Sequence, residues 1–367
     1  MTEPIWENTE AGVHYRLVRT SAYHGSGLGR VLNILHGLAG MRRHEQRIVG
    51  SSIPKIVVAA SVYQLDNFWV CRTARRNGAV FVRETRDLWP MTLVELGGKS
   101  RWHPFVQWVQ RAEDLGYREA KLVATTLPNS FEYMATRGLT PDRWEWLPQC
   151  PEPESSAAVA AIVPESHSAP IKSARSRGHR IVAFTGSLVP ASDLGTLIQA
   201  AALLRDDPVT FVLVGQGPSE AGLRRQIAEA NLGNVHMLPS VPKAAVAPLL
   251  GLCDVGIQLF AALPIYRFGV SPNKIFDYLK AGLPVILAGF SASNPVSSAD
   301  AGIVVPPGDL GAIVQAVRTL NSLSEDARLA MGRRGKAHVV EYHDLGRVAG
   351  RYLELFESFR SRPRSRL

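Results

Sequence analysis

The sequence predicts an α/β protein with two domains, each built on a parallel β-sheet that is covered by helices. Short apolar segments alternate with helical patterns from residue 56 to residue 147, and the alternation restarts at residue 180. Such a rhythm is typical of parallel sheets. The length of 367 residues suits two domains of ordinary size. The composition, 46% hydrophobic and 20% charged, is that of a globular protein.

The first domain is expected to span residues 1–150. Residues 13–18 alternate in polarity like a strand, and a glycine-rich turn at 23–30 leads into a helix. Gly78 and Gly138 are typical helix-ending residues. We expect further strands at about 56–59, 80–83, 121–125 and 144–147, and helices at about 28–46, 64–77 and 129–137.

An aromatic stripe occupies residues 102–118 of this first domain. Core packing explains the stripe, and so does contact with a membrane interface, where aromatic side chains often lie beside arginines. The residues alone leave both explanations open. The stripe contains Trp102, Phe105, Trp108 and Val109, with Arg101, Arg111 and Arg118 around it.

Residues 151–178 interrupt the rhythm. Pro, Ser, Ala and Glu dominate there without periodicity, so we predict a linker. The second domain is then expected at 179–343, and residues 344–367 are expected to form a final helix and a basic tail. Predicted strands are 181–185, 209–214, 234–238, 255–259 and 302–305, and predicted helices are 194–204, 243–253, 310–321, 325–341 and 345–359.

The chain carries a formal charge of +9, from 41 Lys and Arg against 32 Asp and Glu. An anionic membrane surface, an anionic small ligand or nucleic acid would each complement this excess. Cys71, Cys150 and Cys253 lack the spacing of metal or disulfide sites, which fits a reducing cytoplasm. No apolar run is long enough to span a bilayer, and no signal-peptide core is found. We therefore expect a cytoplasmic protein.

The stretch from Phe268 to Ile286 is the most informative part of the sequence. Gly269 permits a close backbone approach, Ser271 is a suitable helix cap, and Pro272 suits a first helical position. An apolar face at helical spacing follows. A glycine and a proline then end the helix before a short buried strand.

The start of this predicted helix offers a site for an anion. The N–H groups of Ser271, Asn273 and Lys274 lie where a phosphate is stabilised, and the ammonium group of Lys274 adds a full positive charge. Asp277, one turn later, is a candidate acceptor for a hydroxyl group of the same ligand. The alternative to an anion site is a capped helix that leads into a core strand and binds no ligand, because such patterns are common.

A second motif, Arg-Asp-Leu-Trp-Pro at 86–90, directly follows a predicted strand. Open α/β sheets bind ligands at that edge. Arg86 and Asp87 are therefore candidates for holding an acceptor molecule, and Asp87 is also a candidate base. In the structural alternative, Asp87 caps a helix and Trp89 packs into the core.

These motifs resemble family 4 retaining glycosyltransferases. Gly-Val-Ser-Pro-Asn-Lys at 269–274, then an acidic residue, then Gly-Leu-Pro-Val-Ile at 282–286 is similar to the branch that builds O-antigen and capsular polysaccharide, including N-acetyl-fucosaminyl transferases. That branch also carries Arg-Asp-Leu-Trp-Pro followed by Leu-Gly-Gly, which stand here at 86–90 and 96–98.

The resemblance implies a GT-B architecture, in which two Rossmann-like domains face each other across a cleft. It implies retaining transfer of a sugar from a nucleotide sugar, with UDP expected, to a lipid-linked or saccharide acceptor. The expected setting is O-antigen, capsule or exopolysaccharide synthesis, with peripheral contact at the cytoplasmic face of the inner membrane. No metal is expected, since the sequence lacks an Asp-x-Asp metal motif. No other cofactor and no nucleic acid partner is expected either.

The same resemblance assigns roles to individual residues. Lys274, Asp87 and Arg86 are the expected catalytic residues, and the last two would face the acceptor. A diphosphate leaving group must be neutralised as its bond to the sugar breaks, and Lys274 would do this. The expected nucleotide-sugar site comprises Gly186, Gly269, Ser271, Pro272, Asn273, Lys274 and Asp277.

Departures from the family pattern keep alternatives open. The first domain looks short at its start, because the family's first strand and glycine-rich loop should precede residue 13. Pro-Ala-Ser at 190–192 stands where relatives usually have a basic residue. Gly269 stands where many relatives have a glutamate eight positions before Asp277. The alternatives are a non-catalytic relative that binds nucleotide or a partner, and a sugar-nucleotide epimerase of the same fold.

Overall fold

The computed structural model describes residues 5–23, 27–51, 53–151, 161–270, 273–290 and 294–359. The chain forms two compact units. The N-terminal unit comprises Met1–Leu147 with Leu355–Leu367, and the C-terminal unit comprises Pro148–Glu354.

The N-terminal unit contains a four-stranded parallel sheet in the order β3-β4-β5-β6. Val82 and Val123 on its two central strands are fully buried, which their apolar, β-branched side chains favour. The strands are β1 Ile5–Glu10, β2 Val13–Val18, β3 Ile56–Ala59, β4 Val80–Thr85, β5 Leu122–Thr125 and β6 Trp144–Trp146.

Strands β1 and β2 lie outside this sheet and pair with each other as an antiparallel hairpin. Their two-residue turn consists of Ala11 and Gly12, both with positive φ, 49° and 79°. Such a turn matches the twist of a hairpin. The strand predicted at residues 13–18 is confirmed, and its pairing is antiparallel because the turn directs the chain back onto β1.

Helices cover the N-terminal sheet, and a buried amide joins two of them. Asn67 Nδ2 donates to the carbonyl oxygen of Ala112 at 2.9 Å. A Cβ at Gly116 would overlap the Asn67 amide, so the glycine permits this approach. The helices are α1 Leu28–Arg43, α2 Glu45–Val49, α3 Asn67–Asn77, α4 Trp89–Glu95, α5 Pro104–Glu119 and α6 Phe131–Ala135.

The C-terminal unit contains a six-stranded parallel sheet in the order β12-β11-β10-β7-β8-β9. The chain moves from β7 to β8 on one side and later returns as β10 on the other side. Ligands bind at the carboxyl ends of strands where such a reversal occurs. The strands are β7 Arg180–Thr185, β8 Val209–Val214, β9 Val235–Leu238, β10 Val255–Leu259, β11 Val285–Ala288 and β12 Gly302–Val305.

Two apolar clusters form the core of the C-terminal unit. Leu197 and Ile313 belong to one cluster, and Leu249 and Ile275 belong to the other. The parallel-sheet α/β class predicted from the sequence is thus confirmed. The helices are α7 Glu165–Ser176, α8 Leu194–Leu203, α9 Glu220–Glu229, α10 Lys243–Leu250, α11 Asn273–Lys280, α12 Pro295–Ser298, α13 Leu310–Ser322, α14 Glu325–Tyr342 and α15 Leu345–Ser358.

Helix α7 lies within residues 151–178, the segment that was predicted to be a linker. Ile171 and Ala174 of this helix are fully buried, and His167 Nε2 lies 2.9 Å from the carbonyl oxygen of Pro239. The helix is therefore part of the C-terminal core. Its serines, alanines and internal Pro170 conceal the helical period, because few large apolar residues mark the buried face.

None of the helices within the described ranges is both long and apolar enough to cross a bilayer.

Candidate functional site

The glycine turns after β7 and β8 meet at the carboxyl edge of the C-terminal sheet. Gly186 follows β7 with φ of 128°, and its N–H donates to the carbonyl oxygen of Val214 at 2.9 Å. A Cβ on Gly215, which follows β8, would overlap the carbonyl oxygen of Gly186. Glycine at both positions leaves this part of the edge without side chains, which allows another group to approach the backbone closely.

Helix α11 is attached to the same edge by Tyr278. This tyrosine is fully buried, and its hydroxyl accepts a hydrogen bond from the backbone N–H of Thr185 at 2.9 Å. The ring lies against Gly256 on β10, where any Cβ would collide with it. The predicted apolar face of α11 is also confirmed, since Ile275 and Leu279 are fully buried. Tyr278 thereby fixes the helix across β7 and β10.

Lys274 on the first turn of α11 extends to the Gly186 turn. Its Nζ lies 4.0 Å from the centroid of the Phe184 ring. Its Cε and Nζ would each be 3.0 Å from a Cβ placed on Gly186. Partial burial lowers the pKa of Lys274 from 10.5 to about 8. No described residue forms an ion pair or hydrogen bond with its ammonium group. The structure thus brings together Lys274 and Gly186, two of the predicted site residues.

The other predicted residues of this stretch have different surroundings. Asn273 Oδ1 accepts a hydrogen bond from Gln149 Nε2 at 2.9 Å. Both carboxylate oxygens of Asp277 lie 3.2 Å from Lys243 Nζ on α10. Asp277 would therefore have to share its carboxylate between Lys243 and a ligand hydroxyl. The predictions for Ser271 and Pro272 concern residues outside the described ranges.

Gly269 ends the 3₁₀ helix Pro264–Phe268 that precedes α11. Its φ of 107° is in the region that favours glycine. Its N–H donates to the carbonyl oxygen of Tyr266 at 3.2 Å, and the chain continues into buried Val270. Glycine is therefore favoured at this position by the backbone conformation, and the close backbone approach expected at Gly269 stays a prediction.

A link between Gln149 and His343 supports the start of α11 and was missed in the sequence. His343 Nδ1 lies 2.8 Å from the carbonyl oxygen of Gln149, whose side chain binds Asn273. The His343 ring lies 4.7 Å from the Phe276 ring, and burial lowers the pKa of His343. The sequence gives no signal for this link, because Gln149 and His343 are 194 positions apart.

Arg86 and Asp87 follow β4 in the N-terminal unit. Arg86 Nε donates to Glu84 Oε1 at 2.7 Å, and both Arg86 and Asp87 are exposed. Desolvation by neighbouring protein atoms nevertheless raises the pKa of the Asp87 carboxyl, while the charge of Arg86 opposes this shift. A raised pKa favours proton acceptance by this carboxylate. Asp87 makes no cap hydrogen bond, since α4 starts at Trp89 after Leu88.

The structural interpretation of Trp89 is confirmed. Its ring packs edge-on against Tyr63 at 5.4 Å and against Phe105 at 5.9 Å. The aromatic stripe that contains Phe105 is divided: Val109 is fully buried, whereas Trp102 is 70% exposed and precedes α5. Core packing thus explains the stripe except for Trp102.

Two further features bear on the chemistry of the edge. Pro190–Ser192 forms a 3₁₀ helix, and the carbonyl oxygen of Ala191 accepts a hydrogen bond from the N–H of Ala261 at 3.0 Å. This segment supplies no cation beside the Gly186 turn. Across the described part of the chain, no three His, Cys, Asp or Glu residues cluster as metal ligands would.

Known proteins resemble the chain in sequence. The family model for glycosyl transferases group 1 matches residues 179–322, which include both glycine turns and α11. Over 105 residues the chain is 30% identical to WcaI of Escherichia coli (strain K12), which is named as a colanic acid biosynthesis glycosyl transferase. This match covers 28% of the chain and 25% of that relative, so it spans about a quarter of the relative's length.

Solved structures resemble nearly the whole chain. HepE of Anabaena in complex with UDP-glucose has a TM-score of 0.64 and 18% identity, covering 91% of this chain and 84% of that one. Sucrose-phosphate synthase of Thermosynechococcus elongatus has a TM-score of 0.70 and 17% identity, covering 97% of this chain and 85% of that one. The Escherichia coli structure described as trehalose-6-phosphate bound with UDP-2-fluoro glucose has a TM-score of 0.73 and 11% identity, covering 97% of this chain and 89% of that one. At such identities the likeness shows the fold alone, and the predicted α/β fold of the GT-B class, with two Rossmann-like domains, is confirmed.

Proposed function

We propose that the chain transfers a sugar from a UDP-sugar to an acceptor, because residues 179–322 match the family model for glycosyl transferases group 1. The acceptor in this proposal is a lipid-linked saccharide or a saccharide in cell-surface polysaccharide synthesis. Transfer proceeds with retention. The N-acetyl-fucosaminyl branch remains the specific form of the proposal, on the strength of the motifs at 86–90 and 269–274.

The environment of Lys274 carries the proposal. A desolvated ammonium group without an anionic partner is unfavourable, because buried charges are normally paired. The ammonium lies beside the Gly186 turn and on the first turn of α11, where helix N–H groups also favour an anion. A diphosphate would supply a negative charge that none of the described residues provides. It also needs this positive charge most when its bond to the sugar breaks.

Asp87 is the proposed acceptor-side base. Its raised pKa makes the carboxylate a better proton acceptor for a hydroxyl than an ordinary surface aspartate. Arg86, which is exposed beside it, is proposed to orient the acceptor. Asp277 is proposed to accept a hydrogen bond from a ribose or sugar hydroxyl in exchange for part of its contact with Lys243.

Calorimetric titration tests the donor site. We expect the parent to bind UDP, and Lys274→Met to weaken UDP binding about ten- to a hundredfold, since hydrogen bonds to charged groups contribute roughly 1.5–3 kcal/mol. Uridine lacks the phosphates, so its affinity should be equal in parent and variant. Lys280→Met, at the other end of the same helix, is the matched control and should bind UDP like the parent. Equal UDP affinities in parent and Lys274→Met would contradict the assignment.

A non-catalytic nucleotide-binding protein is the second candidate function. The observation that favours it is the absence of a cation in the segment 190–192 beside the Gly186 turn. Release of UDP from a panel of UDP-sugars, with bacterial membrane extract as the acceptor source, distinguishes the two candidates. Release that Asp87→Asn abolishes supports transfer. Binding of UDP without release in any extract supports the second candidate.

A further inference from the structure

A cavity of about 610 Å³ lies between α4 and α5 of the N-terminal unit and extends to α6. We call it the α4–α5 pocket. Its size is within the range of small-molecule sites. All of its lining residues lie between Pro90 and Arg137, so it is formed by the N-terminal unit alone. It does not contain Arg86 or Asp87, and no role assigned above uses it.

The lining of the α4–α5 pocket combines an exposed tryptophan ring with planar polar groups. Trp102 is 70% exposed, and the guanidinium carbon of Arg101 lies 4.7 Å from the centroid of its ring. Gln110, Asp114 and Arg111 supply an amide, a carboxylate and a guanidinium group. Hydroxyl groups both donate and accept hydrogen bonds, so a polyhydroxylated ring needs this mixture of donors and acceptors. The apolar face of such a ring would be covered by an exposed indole.

Buried Glu113 orients Gln110, one of the residues that line the α4–α5 pocket. Glu113 is fully buried and accepts hydrogen bonds from Tyr133 Oη at 2.6 Å and from Gln110 Nε2 at 2.9 Å. Gln110 Nε2 also donates to Asp114 Oδ1 at 2.9 Å. Both N–H groups of the Gln110 amide are thus engaged, which fixes its rotamer and leaves its carbonyl oxygen as an acceptor. Satisfied polar networks of this kind hold a site in one geometry before a ligand binds.

Charge distinguishes the ligand class. Arg101, Arg111 and Arg137 line the pocket together with the carboxylates of Glu95 and Asp114. Asp114 keeps a carboxylate oxygen 3.8 Å from Arg137 Nε, so part of the positive charge is already balanced. The two carboxylates offset most of the charge of the three arginines, so the pocket attracts a phosphate less than a purely basic site would, whereas a neutral saccharide can use both kinds of charged group as hydrogen-bond acceptors and donors.

We propose that the α4–α5 pocket is a saccharide-binding subsite, with Trp102 as the stacking surface and Gln110, held by Glu113, as a hydrogen-bonding group. The subsite would retain a sugar unit of an oligosaccharide chain on the N-terminal unit. This extends the proposed function by naming a ligand for a second site, and it does not depend on nucleotide binding at Lys274.

An immobilised array of bacterial oligosaccharides, with chitotriose and maltotriose as soluble probes, tests the subsite in the full chain. We expect the parent to bind at least one saccharide, and Trp102→Ala and Gln110→Ala each to lower that affinity on the order of tenfold. Trp146→Ala, which removes another exposed tryptophan of the same unit, should bind like the parent. Lys274→Met should also bind like the parent, so failure of the donor site and failure of this subsite are separable.

Two results would overturn the proposal. One is the absence of binding to every saccharide on the array at millimolar probe concentrations. The other is saccharide binding that Trp102→Ala and Gln110→Ala leave unchanged while both variants retain the parent's circular dichroism spectrum. Flotation with phosphatidylglycerol vesicles is run in parallel. Vesicle binding that depends on Trp102 and Arg111, without saccharide binding, would assign the pocket to a lipid surface instead.

Discussion

Each unit holds a desolvated cation near the carboxyl end of a parallel sheet, and the two cations have opposite surroundings. Arg83 on β4 is 1% exposed, and its guanidinium donates to the carbonyl oxygen of Ser61 at 2.6 Å and to Asn67 Oδ1 at 3.4 Å. The carboxylate of Asp66 lies 3.6 Å away. Lys274 has no such acceptor among the described residues, although burial lowers its pKa as well.

This contrast distinguishes a structural cation, Arg83, from Lys274, which we propose binds a ligand. The acceptors around Arg83 come from the chain itself and tie the loop after β3 to the sheet. Lys274 keeps its charge beside two glycine turns, where the backbone alone forms the surface. We infer that a bound ligand, and not a described residue, supplies the acceptor for Lys274. The predictions that follow test this difference, from the largest expected effect to the smallest.

Arg83→Met should destabilise the N-terminal unit by about 3–5 kcal/mol, because removal of one partner leaves the other charge buried and unpaired. That partner is Asp66, which is 9% exposed. Thermal unfolding measures the effect, and Arg72→Met on the exposed side of α3 is the control. UDP affinity of the folded variant should equal that of the parent. A stable Arg83→Met variant with impaired UDP binding would reverse the two roles.

Glu113→Gln should remove a pH dependence from the stability of the N-terminal unit. Burial raises the pKa of Glu113 from 4.5 to about 7, against the hydrogen bonds from Tyr133, Gln110 and Tyr117. The folded state therefore holds a proton that the unfolded state has lost, and stability falls as the pH rises from 4.5 to about 7. The change is on the order of 3 kcal/mol. Urea unfolding at several pH values should show this slope in the parent and in Glu132→Gln, which alters an exposed residue, but not in Glu113→Gln.

Gly186→Ala should weaken UDP binding about tenfold, or roughly 1.4 kcal/mol. Its Cβ would lie 3.0 Å from Lys274 Nζ, and the φ of 128° is strained for alanine. The matched control is Gly222→Ala, because that glycine lies in a helix with open space around it. Calorimetry gives both affinities. Parent-like UDP binding by Gly186→Ala would show that the ligand does not use this turn.

Asp277→Ala should lower UDP affinity about fivefold, since loss of one hydrogen bond to a hydroxyl costs about 1 kcal/mol. Lys243→Met removes the ion pair partner and should leave UDP affinity within about twofold, because partly exposed ion pairs contribute little. The same calorimetric titration compares the two variants. An effect of Lys243→Met as large as that of Asp277→Ala would indicate that the pair acts only as a structural contact.

Much of the C-terminal unit was predictable from the sequence. The apolar spacing of Ile275, Phe276 and Leu279 predicts α11, and these residues are buried as expected. Parallel strands end at one edge, so the proximity of Gly186 and Lys274 follows from strand order. The aromatic packing of Trp89 was predicted only as one of two alternatives.

Other features depend on contacts that leave no local pattern. The Gln149–His343 link and the Asp277–Lys243 pair join separate elements, and no spacing rule predicts them. Helix α7 is concealed by its small residues and Pro170. The α4–α5 pocket arises from the packing of three helices, so its lining residues do not form a motif in the sequence.

The central claim is that the ammonium group of Lys274 binds the diphosphate of UDP, and proton uptake on UDP binding tests it most directly. The pKa of Lys274 is about 8 without ligand, so the group is about half protonated at pH 8 and would be fully protonated beside a diphosphate. Calorimetry at pH 8 in buffers of different ionisation enthalpy should show uptake of about half a proton per UDP bound by the parent. Lys274→Met is expected to take up no proton and to bind UDP more weakly. Equal proton uptake and equal affinity in parent and variant would contradict the assignment of Lys274 to the diphosphate.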